Sequence, residues 1–420
     1  MTNTINTEVL PASSAERIVL LDALRGFALL GILLMNIEYF QRPLQAIMLG
    51  FDTQQRGMDY AVAWFSFTFV QGKFYTLFSF LFGLGFVVFM DRAMQKGRGA
   101  RMLFVRRLVI LLLVGVAHLL LIWGGDILHL YGLLGLLLLF FVNSPVKKLW
   151  KWGLAFNFVI PVLILWLGVL ALQGAMSIPE TAAQMQADFE QDRVTLLGDI
   201  ARADSIYASG SYWQAVQWRM EEWYSMYLDG GLVFFGLVIF GAFLIGAAFG
   251  RAGVFADLAA HRALFIRLML WGYGLGLPAT LIWGVKGQSL DPLYPTIEYA
   301  AMITVSQIAN LALCLAYIGT LSLLFLRGAK WVVCLAPAGR MALTNYLLQS
   351  LVFTLLFYGY GFGLYGEYGR VATTLMALVF YALQLWLSHL WLQRFPMGPL
   401  ERCWRVLTYG KIQPARGRQI

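Results

Sequence analysis

Charge is the scarcest commodity in this 420-residue chain. Only 13% of its residues are Asp, Glu, Lys or Arg, about half the share of an ordinary soluble domain. Acids are rarer than bases, 22 against 31, and histidine appears four times. Such a chain cannot clothe a water-soluble globule. Cysteine is scarce too: Cys314, Cys334 and Cys403 are odd in number and scattered, so no disulfide framework is implied. No Cys/His spacing suits zinc, and there is neither a P-loop nor a G-x-S-x-G elbow, so no metal site is expected. Residues 1–17 are polar and lack the charged start, short apolar core and cleavage site of a signal peptide.

What is present is apolar sequence. The hydrophobic share is 60% and the mean hydropathy +0.70. These values predict an all-α, polytopic membrane bundle forming one transmembrane domain over 1–420. A span takes roughly 20 apolar residues. Ten are expected: 20–37, a span from about Lys73 to Met90, 108–123, 127–142, 153–172, 231–249, 268–285, 299–326, 341–358 and 371–392. The second apolar stretch, 58–90, is too long for one upright helix, about 50 Å at the helical rise. Gln71-Gly72 is expected to split it, leaving an interfacial piece before the true span.

Basic residues fall in alternate connections. Arg92, Lys96, Arg98, Arg101, Arg106 and Arg107 follow the second span, Lys147, Lys148 and Lys151 the fourth, and Arg251, Arg262 and Arg267 the sixth. Arg394, Arg402, Arg405, Lys411, Arg416 and Arg418 fill the tail, 393–420. The segment 173–229 is acidic and aromatic instead, and reads as short amphipathic helices on the outer surface. By the positive-inside rule both termini are cytosolic. The same rule accounts for the net charge of +9, so no nucleic-acid partner is implied; the partner is the lipid bilayer.

A parallel internal repeat is visible. Leu121-Ile122-Trp123-Gly124 returns as Leu281-Ile282-Trp283-Gly284, and Arg107-Leu108 as Arg267-Leu268 at the same offset, so that spans two to four echo six to eight. Chance likeness between greasy helices competes with this reading. Small residues on the spans permit close helix approach and a homodimer.

Polar residues inside such a bundle need partners or a use. Two of the four histidines lie in one stretch, GVAHLLLIWGGDILHLYGLLG. His118 sits some 7–8 Å below the interface marked by Trp123 and suits a general base. Asp126, after the Gly124-Gly125 break, can either orient His118 or cap the next helix. His129 reads as interfacial. Asp22 and Arg25 are spaced to pair on one helix face. Asn36 closes the first span. Lys73 can snorkel, partner Asp126 or hold an anionic substrate. Asn345 and Gln349 share one helix face, as interhelical glue or as pocket lining. Arg101 and Arg107 could grip the phosphates of a nucleotide-bearing donor, although the positive-inside rule also predicts them.

Five motifs in order, LLDALRGFALLGILLMNI, GKFYTLFSFLFGLGF, HLLLIWGGDILHLYGLLG, GRMALTNYLLQS and GPLERCWRVLTYG, resemble the YeiB-like family of bacterial inner-membrane proteins. Through its arginine-bearing first span the family is similar to transmembrane acyltransferases that include heparan-α-glucosaminide N-acetyltransferase. That likeness implies an acyl group passed from cytosolic acyl-CoA, with no permanent cofactor, to a lipid or glycan hydroxyl or amine on the far side. It extends residue by residue to Asp22, Arg25 and Asn36, with Gly125, Asp126, Asn345 and Gln349 as motif positions. His118 is not matched to that enzyme's histidine. The expectation is an acyltransferase with His118 and Asp126 catalytic, Asp22, Arg25, Asn36, Lys73, Asn345 and Gln349 binding substrate, and Arg101 and Arg107 binding the donor. The alternatives are a transporter or lipid-handling protein that uses the same polar cavity, and a non-catalytic membrane partner.

Overall fold

The structure, a computed structural model, describes residues 18–95, 99–228 and 231–410; side chains are described except at 226–228. The polar start 1–17, Lys96, Arg98, Asp229 and the tail residues Lys411, Arg416 and Arg418 lie outside the described residues. No strand occurs among those described. The helices, in order, are α1 (Val19–Tyr39), α2 (Gly57–Phe65), α3 (Lys73–Gln95), α4 (Ala100–Leu121), α5 (Leu128–Leu137), α6 (Val146–Leu154), α7 (Ile160–Met176), α8 (Pro179–Ser209) and α9 (Tyr212–Leu228). They continue with α10 (Gly231–Arg251), α11 (Arg262–Lys286), α12 (Ile297–Leu326), α13 (Lys330–Cys334), α14 (Ala336–Arg340), α15 (Ala342–Phe357), α16 (Arg370–Arg394) and α17 (Pro399–Tyr409).

Among the described residues, eight helical stretches are long and apolar enough to cross a membrane, and two shorter apolar helices, Leu128–Phe141 and Ala342–Phe357, fall where the fourth and ninth spans are expected. The chain is a multi-pass, all-helical membrane protein. Its core is built from α1, α3 and α10, each buried over most of its circumference. Because lipid and core are equally apolar, close packing of small residues does the joining. A Cβ at Gly83 of α3 would strike the backbone of Phe243 on α10, and one at Gly246 of α10 would strike the backbone of Phe80 on α3. Phe243 follows Gly83 by the same interval that separates the two Leu-Ile-Trp-Gly copies. The two hairpins α4–α5 and α11–α12 then flank this crossing, one in each proposed repeat.

Two deviations from straight α-helix matter. The helix from Gly57 widens into a five-residue π turn, Ser66–Val70, and breaks at Gln71-Gly72, where Gly72 takes the left-handed region (φ +89°). A side chain there would also collide with Asn310, so the break between α2 and α3 belongs to glycine. The stretch Val146–Met176 carries a second π turn, Ala155–Val159, and so begins before the expected fifth span. Its Asn157 donates to the Val238 carbonyl at 2.8 Å.

The acidic segment is not a set of short pieces. It forms α8, 31 residues and about 46 Å long, and α9, 17 residues long. Both lie at the end of the bundle where α1, α4 and α15 finish: Gly359 donates to the Tyr207 carbonyl, and Tyr212 to that of Leu121. α17 covers the opposite end, where α4 and α15 begin.

Candidate functional site

α4 unwinds on its last turn. The amides of Ile122 and Trp123 both bond the carbonyl of His118 at 2.9 Å, and the chain turns through Gly124-Gly125. Each glycine is needed for contact: a Cβ at Gly125 would enter the Trp123 ring, and one at Gly124 would lie 2.9 Å from the Glu222 carboxylate. Trp123 is anchored in turn by the Tyr39 carbonyl and by Phe40, with ring centroids 4.5 Å apart. This turn brings Asp126 back over α4. Its Oδ2 lies 2.7 Å from His118 Nδ1; its Oδ1 accepts the backbone N–H of His129 at 2.8 Å and lies 2.9 Å from His129 Nδ1. All three side chains are buried.

The two readings of Asp126 are therefore both true. One oxygen caps the start of α5; the other holds His118. His129, read as interfacial, is buried on the same carboxylate, because it opens the helix that Asp126 caps. A neutral His118 that donates Nδ1–H to Asp126 keeps its lone pair on Nε2. That Nε2 is buried and has no hydrogen-bond partner. The Tyr346 ring stands 5.3 Å from the imidazole. An imidazole oriented by a carboxylate, with its second nitrogen free, is the arrangement of a general base.

α9 closes this end. Arg219 is fully buried; its Nε donates to Leu120 O at 2.8 Å, and its terminal nitrogens to Ile122 O at 3.1 Å and Leu121 O at 3.4 Å, satisfying the carbonyls left when α4 stops. Glu222, one turn on, has Oε1 buried without a partner. Burial pushes its carboxyl up to about 7, against the opposing pull of Arg219 and the Tyr207 hydroxyl.

Two cavities flank the centre. One, of about 280 Å³, opens among Arg25, Arg107, Arg340, Glu401 and Trp404 at the α17 end and reaches inward to Leu111, Leu128, Tyr131 and Leu343. Leu111 is two turns from His118, Leu128 adjoins His129, and Leu343 is one turn from Tyr346. Arg107 lies 3.9 Å over the Trp404 ring and 5.4 Å from that of Phe89. Glu401 caps α15 through the N–H and hydroxyl of Thr344, at 3.0 and 2.6 Å. The other cavity, of about 350 Å³, lies towards the α8–α9 end among α1, the π turn after α2, α11 and α12, with Glu38, Asp52 and Arg370 at its charged side.

Two of the comparisons with known proteins find likenesses. The family model described as "Protein of unknown function (DUF418)" matches residues 249–411. The "Uncharacterized protein YxaH" of Bacillus subtilis is 34% identical, over 96% of this chain and 97% of its own. The "Uncharacterized protein YeiB" of Escherichia coli is 32% identical, over 95% of this chain and 98% of its own. The chain belongs to the YeiB-like DUF418 family. No solved structure matches it.

In this YeiB-like chain the expected site residues fall into four groups. His118 and Asp126 meet. Arg25 and Arg107 share the cavity at the α17 end, with Asp22 3.0 Å from Arg25, whereas Arg101 is exposed outside it. Asn345 and Gln349 turn to α16: Asn345 donates to Ser388 at 2.9 Å, Gln349 to Gln384 at 2.8 Å, and Gln384 to the Asn345 carbonyl at 3.0 Å. Lys73 does not reach Asp126, whose oxygens are taken, and with Asn36 it is buried elsewhere in the core. Arg340, Glu401 and Trp404 are additions. Each lies in one of the shared motifs, GRMALTNYLLQS or GPLERCWRVLTYG, which was their one signal in the sequence.

Proposed function

We propose that this YeiB-like protein is an acyltransferase of the bacterial inner membrane, moving an acyl group from acyl-CoA to a lipid or glycan hydroxyl or amine. The observation that carries the reading is His118 Nε2, buried without a partner on an imidazole held by Asp126. The donor's phosphates meet Arg25, Arg107 and Arg340, and its thioester arm runs along the apolar wall towards Leu128 and Tyr131. His118 Nε2 takes the acceptor proton as the acceptor oxygen or nitrogen bonds to the thioester carbon. The carbon–sulfur bond then breaks, and the imidazolium returns the proton to the leaving thiolate, giving acylated acceptor and free CoA thiol. Asp126 fixes the tautomer and steadies the imidazolium.

Thiol release from acetyl-CoA and longer acyl-CoAs by the purified protein in lipid nanodiscs tests this. Release by the wild type with loss in His118→Ala is the expected result. No turnover and no acyl-CoA binding by the wild type sinks it. The two cavities towards opposite ends of the bundle favour a second reading, a transporter. Concentrative uptake into proteoliposomes without chemical change is the result that would establish it.

A further inference from the structure

The 350 Å³ cavity takes no part in the chemistry just proposed, since neither His118 nor Asp126 lines it. Three of its lining rings form a continuous aromatic patch. Phe51 and Phe67 have ring centroids 5.2 Å apart, and Phe67 stacks on Trp283 at 5.0 Å with 22° between the planes. The charged lining is Glu38, Asp52 and Arg370. Their side chains are 20, 21 and 10% exposed, so each presents atoms that a ligand in the cavity can touch.

These charges are balanced within the wall. Glu38 Oε1 accepts from Arg42 at 2.7 Å, and Glu38 Oε2 pairs with Arg370 Nη1 at 2.8 Å. The other terminal nitrogen of Arg370 lies 3.4 Å from Asp52 Oδ2. Two acids thus meet two guanidiniums, and a charged ligand would have to displace one pair and strand its partner. Hydrogen-bonding capacity remains all the same. Glu38 commits one lone pair on each oxygen, and Arg370 has N–H groups beyond those it gives the acids. A carboxylate only accepts and a guanidinium only donates. An uncharged ligand that serves both must donate and accept through neighbouring groups, as vicinal hydroxyls do.

We propose that this cavity binds an uncharged saccharide ring. Its hydroxyls bridge Glu38, Asp52 and Arg370 through charge-assisted hydrogen bonds, and its C–H face lies on the aromatic patch of Phe51, Phe67 and Trp283. Ligand pockets run from about 300 to 1,000 Å³ and combine apolar and aromatic walls with a few placed polar groups. At 350 Å³ this one stands at the small end and suits a compact ring rather than a polymer. The site is a binding one and asks nothing of the thioester chemistry at His118. A free glycoside and the headgroup of a glycolipid present the same hydroxyls, and the experiment separates them.

Purified full-length protein in a sugar-free detergent is titrated with methyl β-D-glucopyranoside and methyl β-D-galactopyranoside, and saturation-transfer NMR reads the apparent Kd. Cyclohexanemethanol, a ring of similar size without ring hydroxyls, is the control. In parallel, glucosyl and galactosyl diacylglycerol are added to the protein in nanodiscs, and Tm is followed. At least one sugar binds in the wild type, and cyclohexanemethanol does not. A response to the free glycoside identifies the saccharide itself as the ligand, and a response confined to the glycolipid identifies a headgroup; either supports the site. Asp52→Ala weakens the apparent affinity by about tenfold or more. Trp283→Leu removes a stacking face and gives a loss of the same order, which keeps the test open if Asp52→Ala does not accumulate. No response to any of the four sugars, an equal response to cyclohexanemethanol, or undiminished binding in the variants overturns the proposal. The readout is binding, so its failure leaves the thioester chemistry at His118 standing, and a silent thioester assay leaves this site standing.

Discussion

Two buried polar clusters sit in the same apolar bundle and differ in one respect. Between α15 and α16, Asn345, Gln349, Gln384 and Ser388 donate and accept among themselves and to backbone carbonyls. At the α4–α5 turn, Asp126 is fully engaged by His118 and His129, yet the outer nitrogen of His118 is left over. The first cluster is closed and holds two helices together. The second is closed on one side only. An unmet hydrogen bond in a membrane interior is expensive, and the one at His118 is the feature on which the proposed acyl transfer rests. Residue type does not make the distinction, since amides and histidines are both found as structural glue.

The difference can be attacked experimentally. The largest effect is expected for activity at the open cluster: Asp126→Asn should lower acyl transfer by about two orders of magnitude or more, since the oriented tautomer of His118 is lost, as read by thiol release. Gln349→Leu in the closed cluster should leave that rate within a few-fold; equal losses at both places would erase the contrast. Stability comes next. Arg219→Ala removes three charge-assisted bonds to the end of α4 and should cost about 3 kcal/mol, seen as a lowered Tm and faster proteolysis of α8–α9. Within the closed cluster, Gln349→Leu alone should cost about 1–3 kcal/mol by stranding Gln384, and adding Gln384→Leu should recover part of it, which a double-mutant cycle in mild denaturant measures.

The smallest effect concerns pH. Burial raises the Glu222 carboxyl from its ordinary 4.5 to about 7. A carboxyl whose folded value is the higher one contributes stability that is complete below about 4.5 and is lost as pH rises through about 7. The docking of α9 should therefore loosen modestly between pH 6 and 8, on the order of a few degrees in Tm, and Glu222→Gln should flatten that dependence. A wild-type Tm that rises over the same window would contradict the assignment.

Much of the architecture was legible because it depends on properties that repeat along the chain. Apolar runs located the helices, and Gln71-Gly72 and the glycine pair Gly124-Gly125 located both breaks. The Asp126 cap was legible because its partner, the His129 amide, is three residues away. Partnerships across the bundle were not. Gln384 and Ser388 lie 35 and 43 residues from the amides they meet, and Arg219 lies nearly a hundred from the carbonyls it binds. Nothing in spacing or hydropathy specifies such pairs. The length of α8 was missed for a different reason: a largely polar helix has no apolar run by which to measure it.

The crossing of α3 and α10 has a consequence in time. Its two halves are about 160 residues apart, and a ribosome adding about 5–20 residues per second takes roughly 8–30 s to supply the second. During that interval α3 carries an open notch at Gly83 facing lipid or the insertion machinery. The first half of the bundle is thus born with a vacancy shaped for a helix not yet made. A chain cut in the acidic segment between them should still assemble if both fragments are synthesised in one cell.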